Sequence, residues 1–296
     1  MTWLSDNAVA HLRAVTELPD FSGTRYRLHG ELARGGMGVV YEAEDIELCR
    51  RVAIKVLASE LASEDAVERM RAEARTIARL EHPGIVPLHD VGLLPDGRLW
   101  YAMKLVRGRR LDELQAPTTE LLRVFLRICE AVAFAHANGI VHCDLKPENV
   151  MLGDFGEVLV MDWGVARQPG ANDALVAGTR GFMAPEQEQG AAASIGPSTD
   201  VYALGATLRT LLPAKLPRPL AAICAKATAA EQRDRYATAR ELADDVSRWL
   251  DGQPVSAYRE NAVELAGRWL SRNRVLVTIV IAYLVMRVIV ILWVRH

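Results

Sequence analysis

The stretch His142-Cys143-Asp144-Leu145-Lys146-Pro147-Glu148-Asn149 gathers a carboxylate, an ammonium and a side-chain amide within eight residues. Phosphoryl transfer uses those three groups. It needs an acid to orient a hydroxyl, a cation to hold phosphate charge, and an uncharged oxygen for a metal. The competing reading is a polar turn with Pro147 as its breaker. The elements that would have to position these groups decide between the two.

Upstream, strand-like residues begin near Tyr26 and run into Leu32-Ala33-Arg34-Gly35-Gly36-Met37-Gly38-Val39-Val40, then Tyr41-Glu42-Ala43. Glycines let backbone N–H groups approach phosphates with no Cβ in the way. Val52-Ala53-Ile54-Lys55-Val56 follows, with Lys55 falling 17 residues after Gly38. A long helical pattern comes next and carries Glu73 within Arg69-Met70-Arg71-Ala72-Glu73-Ala74-Arg75. The plain alternative for Glu73 is a surface ion pair with Arg69 or Arg75. Further on lie Gly178-Thr179-Arg180-Gly181-Phe182-Met183-Ala184-Pro185-Glu186, Asp200-Val201-Tyr202-Ala203-Leu204-Gly205, and Arg235 in Arg233-Asp234-Arg235-Tyr236.

In order and spacing these motifs resemble those of protein kinases over roughly residues 26 to 250, and Lys146 is typical of the serine/threonine branch. The resemblance implies an α+β, two-lobed fold: a small β-rich lobe with one helix, then a larger helical lobe. It implies ATP and Mg²⁺ as cofactors and a protein Ser or Thr hydroxyl as acceptor. Asp144 would orient the hydroxyl, Lys146 would stabilise the γ-phosphate, and Thr179 would bridge the two. Lys55, fixed by an ion pair with Glu73, would hold the α- and β-phosphates. Ala33, Gly35, Gly36 and Gly38 would form the phosphate loop, with Ala33 in place of the family's first glycine. Met103 would guard the adenine site, with Lys104, Leu105 and Val106 as hinge and Val40, Ala53 and Met151 around the purine. Glu186 would pair with Arg235, and Asp200 would hold the backbone of the catalytic loop.

Asn149 and an aspartate would bind Mg²⁺, and two triplets compete for the second place. Asp154-Phe155-Gly156 has the familiar letters but lies only five residues after Asn149, too few for a strand, a turn and a return strand. Asp162-Trp163-Gly164 lies thirteen residues after it, and the intervening Val150-Met151-Leu152, Gly153 to Gly156 and Val158-Leu159-Val160 read as a hairpin. Asp162 is therefore the expected metal ligand. Trp163 takes the place of the usual Phe, to stack with His142, Ile77 and Leu88.

Two departures from the family concern regulation and substrate. Cys143 stands where many kinases carry an arginine that grips an activation-loop phosphate, and no Ser, Thr or Tyr lies between Asp162 and Gly178. Activity without activation-loop phosphorylation is the expectation. After Gly205 the chain runs through Leu211-Leu212-Pro213-Ala214-Lys215-Leu216-Pro217 almost directly into the next helix, so the substrate surface is reduced. With Ala33 and Trp163, this shortening leaves a catalytically weak or inactive nucleotide-binding scaffold as the alternative.

The chain has 296 residues, 50% hydrophobic and 24% charged, with net charge −2. That suits one two-lobed domain plus one further element, and near-neutral charge argues against nucleic acid as a partner. Cys49, Cys129, Cys143 and Cys224 show no paired spacing, which indicates a reducing compartment. Residues 1–25 read as an N-terminal extension with no apolar core of the signal-peptide kind. Residues 275–294 carry one charge, Arg287, and predict a transmembrane helix of about 30 Å. A mid-bilayer Arg costs roughly 2.5–3.5 kcal/mol, but here it can snorkel outward. A buried core or dimer helix is the alternative. Arg268, Arg272 and Arg274 precede the span and place the kinase domain in the cytosol, on a single-pass protein in the cytoplasmic membrane. Only two residues follow the span, so a tail anchor contacting lipid, with a membrane partner or second copy possible, is expected. With the juxtamembrane segment 251–274, the whole is similar to membrane-attached bacterial serine/threonine kinases, planctomycete ones especially.

Overall fold

The structure is a computed structural model and describes residues 18–35, 38–58, 63–169, 178–261, 264–265, 267 and 273–294. Five strands form one antiparallel sheet: β1 (Tyr26–Arg34), β2 (Gly38–Asp45), β3 (Arg50–Leu57), β4 (Leu88–Leu93) and β5 (Leu99–Lys104), in the order β1-β2-β3-β5-β4. Alternation along the strands gives the sheet two faces. Val52, Ile54, Val56, Trp100 and Ala102 join Phe21, Tyr26 and Tyr41 in one core. The intervening residues Ala53, Leu57, Leu99, Tyr101 and Met103 face the other way and enter the main core with helix α1 (Glu64–Arg79). Lys55 lies on that second face, opposite Tyr101 in register.

Helix α1 starts where Ser63 Oγ accepts from the Ala66 amide and Glu64 and Asp65 meet the positive end of the dipole. Its buried stripe is Ala66, Met70, Glu73, Ala74 and Ile77. Glu73 thus sits on the inward face, 2% exposed, and the surface-pair alternative is excluded.

The helical lobe is organised around α2 (Thr118–Ala137), whose Leu122, Phe125, Cys129, Val132 and Ala135 recur at helical spacing and are buried. A second sheet joins β6 (Gly108–Arg110), β7 (Val150–Gly153) and β8 (Val158–Val160) at its edge. Then come α3 (Pro185–Glu188), α4 (Pro197–Leu211), α5 (Arg218–Ala227) and α6 (Ala239–Leu250). Helix α6 opens with Thr238 Oγ1 accepting from the Glu241 amide, while the Glu241 carboxylate accepts from the Ala237 amide just before the cap. Residues 212–217 are all that separates α4 from α5.

The segment after α6 is strapped to this lobe by one buried carboxylate. Asp245 accepts from the Ser256 amide and hydroxyl, the Ala257 amide and the Tyr236 hydroxyl, at 2.7–3.0 Å. The last helix, α7 (Arg274–Val294), exposes Val275, Ile279, Tyr283, Leu284, Met286 and Trp293. Among the described residues no helix is long and apolar enough to cross a membrane. Several α7 side chains, with Arg268 and Arg272, lie outside the described residues. The expected transmembrane helix is not found among the described residues, where α7 is an apolar helix with exposed side chains.

Candidate active site

The hairpin argument places Asp162, and the backbone follows it. Strands β7 and β8 pair antiparallel with Val150 opposite Val160 and Leu152 opposite Val158. The turn between them is closed by Gly156 N–H donating to the Gly153 carbonyl, with Phe155 almost fully exposed. The Asp154-Phe155-Gly156 triplet is thus a surface turn. Asp162 follows β8, with the Met161 amide bonded to the Asn149 carbonyl at 2.8 Å. The Trp163 ring lies 4.6 Å from that of His142 and shares a core with Ile77, against which Leu88 packs.

Four polar groups converge at the head of the catalytic loop. Asp144 Oδ1 accepts from the Thr179 hydroxyl at 2.8 Å. Its Oδ2 accepts from Lys146 Nζ at 2.9 Å and Asn149 Nδ2 at 3.1 Å. Lys146 Nζ also donates to Thr179 Oγ1 at 2.6 Å. Asn149 Nδ2 is further bonded to the Asp144 carbonyl at 2.8 Å. Both amide hydrogens of Asn149 therefore face Asp144, and Oδ1 is the atom it has to offer a cation.

Loop geometry is held from below. Asp200, on α4, accepts from the His142 amide at 2.8 Å and the Cys143 amide at 2.9 Å, and pairs with His136 at 2.8 Å. Burial opposes its charge, but these bonds, His136 foremost, hold its carboxyl below the usual range. Cys143 (φ 66°) and Asp162 (φ 57°) both occupy the left-handed region, which costs about 1–3 kcal/mol for such residues. The Asp200 bonds offset that strain at Cys143. The Cys143 thiol is buried, and burial pushes its pKa up, so it has no phosphate-gripping character.

Across the cleft, Lys55 Nζ reaches Glu73 Oε1 at 2.8 Å, Glu73 Oε2 at 2.9 Å and Asp162 Oδ1 at 3.5 Å. The Tyr101 hydroxyl donates to Glu73 Oε1 at 2.9 Å. Burial opposes the charge on Lys55, but the groups around it, Tyr101, Glu73 and Asp162, hold it protonated. Burial likewise opposes the charge on Asp162, and Lys55, His142 and Lys146 hold that carboxyl below its usual range. Two carboxylates share one ammonium here, leaving an excess negative charge facing the cleft.

A cavity of about 360 Å³ lies between the lobes, lined among others by Ala33, Gly35, Gly38, Val40, Lys55, Met103, Asp144, Asn149, Met151 and Asp162. The structure thus brings both the sheet residues and the loop residues of the expected site to one space. Four of the described residues expected around the nucleotide, Leu105 among them, are not among the lining residues. Ala53 is in the core, paired with Met103. Lys104 and Val106 are not among the lining residues, and the Lys104 amide donates to the Pro87 carbonyl at 3.1 Å. Gly36 lies outside the described residues. Gly38 opens β2, where a Cβ would collide with the Val56 carbonyl oxygen, so strand pairing itself requires this glycine.

Sequence reasoning missed Tyr101, Glu148, Met161 and Val165 as lining residues. The alternation Leu99, Tyr101, Met103 was a usable signal for Tyr101, since it shares the Lys55 face.

Among the described residues no cluster of three or more His, Cys, Asp or Glu could hold a metal. Mg²⁺ ordinarily takes one or two protein oxygens and completes its shell with water and phosphate. Asp162, ionised and in negative excess, and Asn149 Oδ1 fit that donor set.

Residues 26–273 match the protein kinase domain family. The chain belongs to that family. Serine/threonine-protein kinase PknA of Mycobacterium tuberculosis is 45% identical over 195 residues, covering 61% of this chain and 45% of PknA. The probable serine/threonine-protein kinase SCO3848 of Streptomyces coelicolor is 35% identical over 295 residues, covering 85% of this chain and 44% of its own length. The chain spans less than half the length of these curated relatives. The PknI kinase domain of M. tuberculosis has the same fold, with a TM-score of 0.60 at 29% identity over 76% of this chain and 96% of that one. These relatives are bacterial serine/threonine-protein kinases.

Proposed function

We propose that this kinase transfers the γ-phosphoryl group of ATP to Ser or Thr hydroxyls of proteins. The carrying observation is that Asp144 and Asn149, bonded to each other and, through Asp144, to Lys146 and Thr179, line the same interlobe cavity as Lys55 and Asp162. Asp144 orients the acceptor hydroxyl for in-line attack and takes up its proton as the phosphorus–oxygen bond forms and ADP departs. Lys146, already bonded to Asp144 and Thr179, presents its ammonium to the transferring phosphoryl. Lys55, immobilised by Glu73, holds the α- and β-phosphates. Mg²⁺, held by Asp162 and Asn149, would neutralise the phosphate charge.

Radiolabelled ATP with a generic protein substrate tests this, with Asp144→Asn beside wild type. Loss of about 10²–10⁴ in rate is expected for the variant. Equal incorporation, or none in either protein, would favour the nucleotide-binding scaffold. Thermal upshift by Mg-ATP in both would then locate the fault in the chemistry rather than the binding.

We further infer that α7 attaches the kinase to the cytoplasmic membrane, with the catalytic domain in the cytosol. Its exposed apolar side chains, among them Val275 at 69% and Trp293 at 81%, support this. A helix apolar on all sides has no water-facing stripe. Membrane fractions of cells making residues 1–296 and 1–273 discriminate. The longer form should sediment with the membranes and the shorter should be released into the supernatant. Equal release of both would leave a second copy of the helix as its partner.

A further inference from the structure

The turn that mimics a metal-binding triplet lies far from the phosphates, yet it is tied to the other lobe. Lys104 closes β5, a strand of the small lobe paired with β3 through Val52. Its Nζ donates to Glu157 Oε1 at 2.9 Å. Glu157 belongs to the β7–β8 turn of the large lobe, and its Oε2 accepts from the Phe155 amide at 3.3 Å. One carboxylate therefore caps the turn and takes the lysine. The approach is close enough that a Cβ on Gly153 would collide with Glu157 Oε2. Gly153 does not have the positive φ that would otherwise call for glycine. The room it leaves is for that carboxylate. The Lys104 ammonium, the strongest influence on Glu157, holds its carboxyl below the usual range.

Two other attachments join the lobes near this point. The chain itself passes through 105–107, and Ile85 and Val160 form a backbone bridge, with the Val160 amide donating to the Gly84 carbonyl at 2.8 Å. The Asp154 amide also bonds to the Arg107 carbonyl at 3.0 Å, anchoring the same turn to the start of the large lobe. Lys104 is the side chain that reaches into this anchored turn from the small-lobe sheet.

We propose that Lys104, Glu157 and Gly153 form a hinge strut that sets the spacing of the lobes and so positions the nucleotide cleft. These are positioning residues, since none is assigned a contact with the transferring phosphate. This inference rests on the nucleotide reading for its consequence, but not for its geometry. Without the strut the lobes sample wider openings, and apparent nucleotide affinity falls in proportion to the closed fraction. The pair is partly exposed, with 38% and 35% of the two side chains accessible. A partly exposed ion pair of this kind is worth about a two- to five-fold change in an equilibrium constant.

The test uses the full chain with Lys104→Met, Gly153→Ala and the two combined. Spin labels on Cys49, the exposed native cysteine in the small lobe, and on Asp244→Cys in α6 report the interlobe distance by pulsed electron resonance. Each single variant should broaden that distribution and weaken Mg-ATP binding by calorimetry about two- to five-fold. The combined variant should do no more than the singles, because both break one tie. Gly153→Ala removes no charge, so an effect from it matching Lys104→Met separates the strut from a simple change in cleft electrostatics. Unchanged distance distributions in both singles, or additive effects in the double, would overturn the proposal. Failure of wild type to bind Mg-ATP would overturn the nucleotide reading instead, while the distance measurement still judges the strut.

Discussion

Two buried ion pairs in this kinase look alike and differ in what they leave over. Arg235 donates to Glu186 through both terminal nitrogens at 2.8 Å, and also to the carbonyls of Ser198, Ala229 and Ala230. Glu186 accepts in addition from the Thr199 hydroxyl. Every strong direction of that pair is occupied within the protein. Lys55 and Glu73 are also buried, but Lys55 is shared with Asp162 and the cluster opens on a cavity. A saturated pair holds a fold together, and an unsaturated one is available to a ligand. The acids respond accordingly. Burial opposes the charge on Glu186, but Arg235 and its other partners hold it below its usual range. Burial, with the nearby Asp162 charge adding to it, pushes Glu73 upward against the pull of Lys55.

The sharpest break of this contrast is Arg235→Met. It strands Glu186 as a buried, uncompensated charge, which costs roughly 3–5 kcal/mol. The expected result is a large drop in melting temperature and poor soluble yield. A variant that melts like wild type would show that the pair is not structural.

Lys55→Met should do the reverse. Glu73 keeps the Tyr101 hydroxyl and, with its carboxyl already pushed upward by burial, takes up a proton instead of remaining a bare charge. Phosphoryl transfer should fall by about 10²–10³, the scale of losing one preorganised electrostatic contact, while the melting temperature changes much less than in Arg235→Met. Thermal melts and labelled-ATP assays on the two variants give the comparison directly. Tyr101→Phe should fall between, loosening Glu73 by about 1 kcal/mol with a correspondingly smaller loss of rate.

What the sequence revealed divides along the same line. The charged motifs were legible because phosphoryl transfer restricts which groups serve, and their spacing restricts which strands carry them. Counting residues from Asn149 was enough to reject Asp154 and choose Asp162, because a hairpin has a minimum length. Glu186 with Arg235, and Asp200 beneath the loop, were legible only through the resemblance to the family. Tyr101 was not, since a tyrosine in an apolar strand reads as core until the register sets it beside Lys55. Gly38 was read as a phosphate glycine, but its lack of a side chain answers a constraint from Val56 on the neighbouring strand, and a linear motif does not contain that neighbour. Glu157 and Lys104 carry ordinary letters and meet only through the interlobe turn.

Asp200 sharpens the comparison with the smallest expected effect. Like Glu186 it is a buried carboxylate, but it has no arginine, and its partners are two backbone amides and His136. Its carboxyl is held below the ordinary 3.8. A depressed acid contributes stability that is complete above its unfolded value and is lost as pH falls through the folded one. The loss should therefore begin below about pH 4 and approach at most about 1.4 kcal/mol per pH unit. Urea midpoints of wild type and Asp200→Asn at pH 6, 4 and 3 read this out. The variant should be less stable at pH 6, where its amide meets the His142 and Cys143 amides with an N–H of its own or a single oxygen. Acidification should narrow the gap, since only wild type has this proton to take up. A gap that stays constant down to pH 3 would mean that the catalytic loop is held by packing around Asp200 and not by its charge.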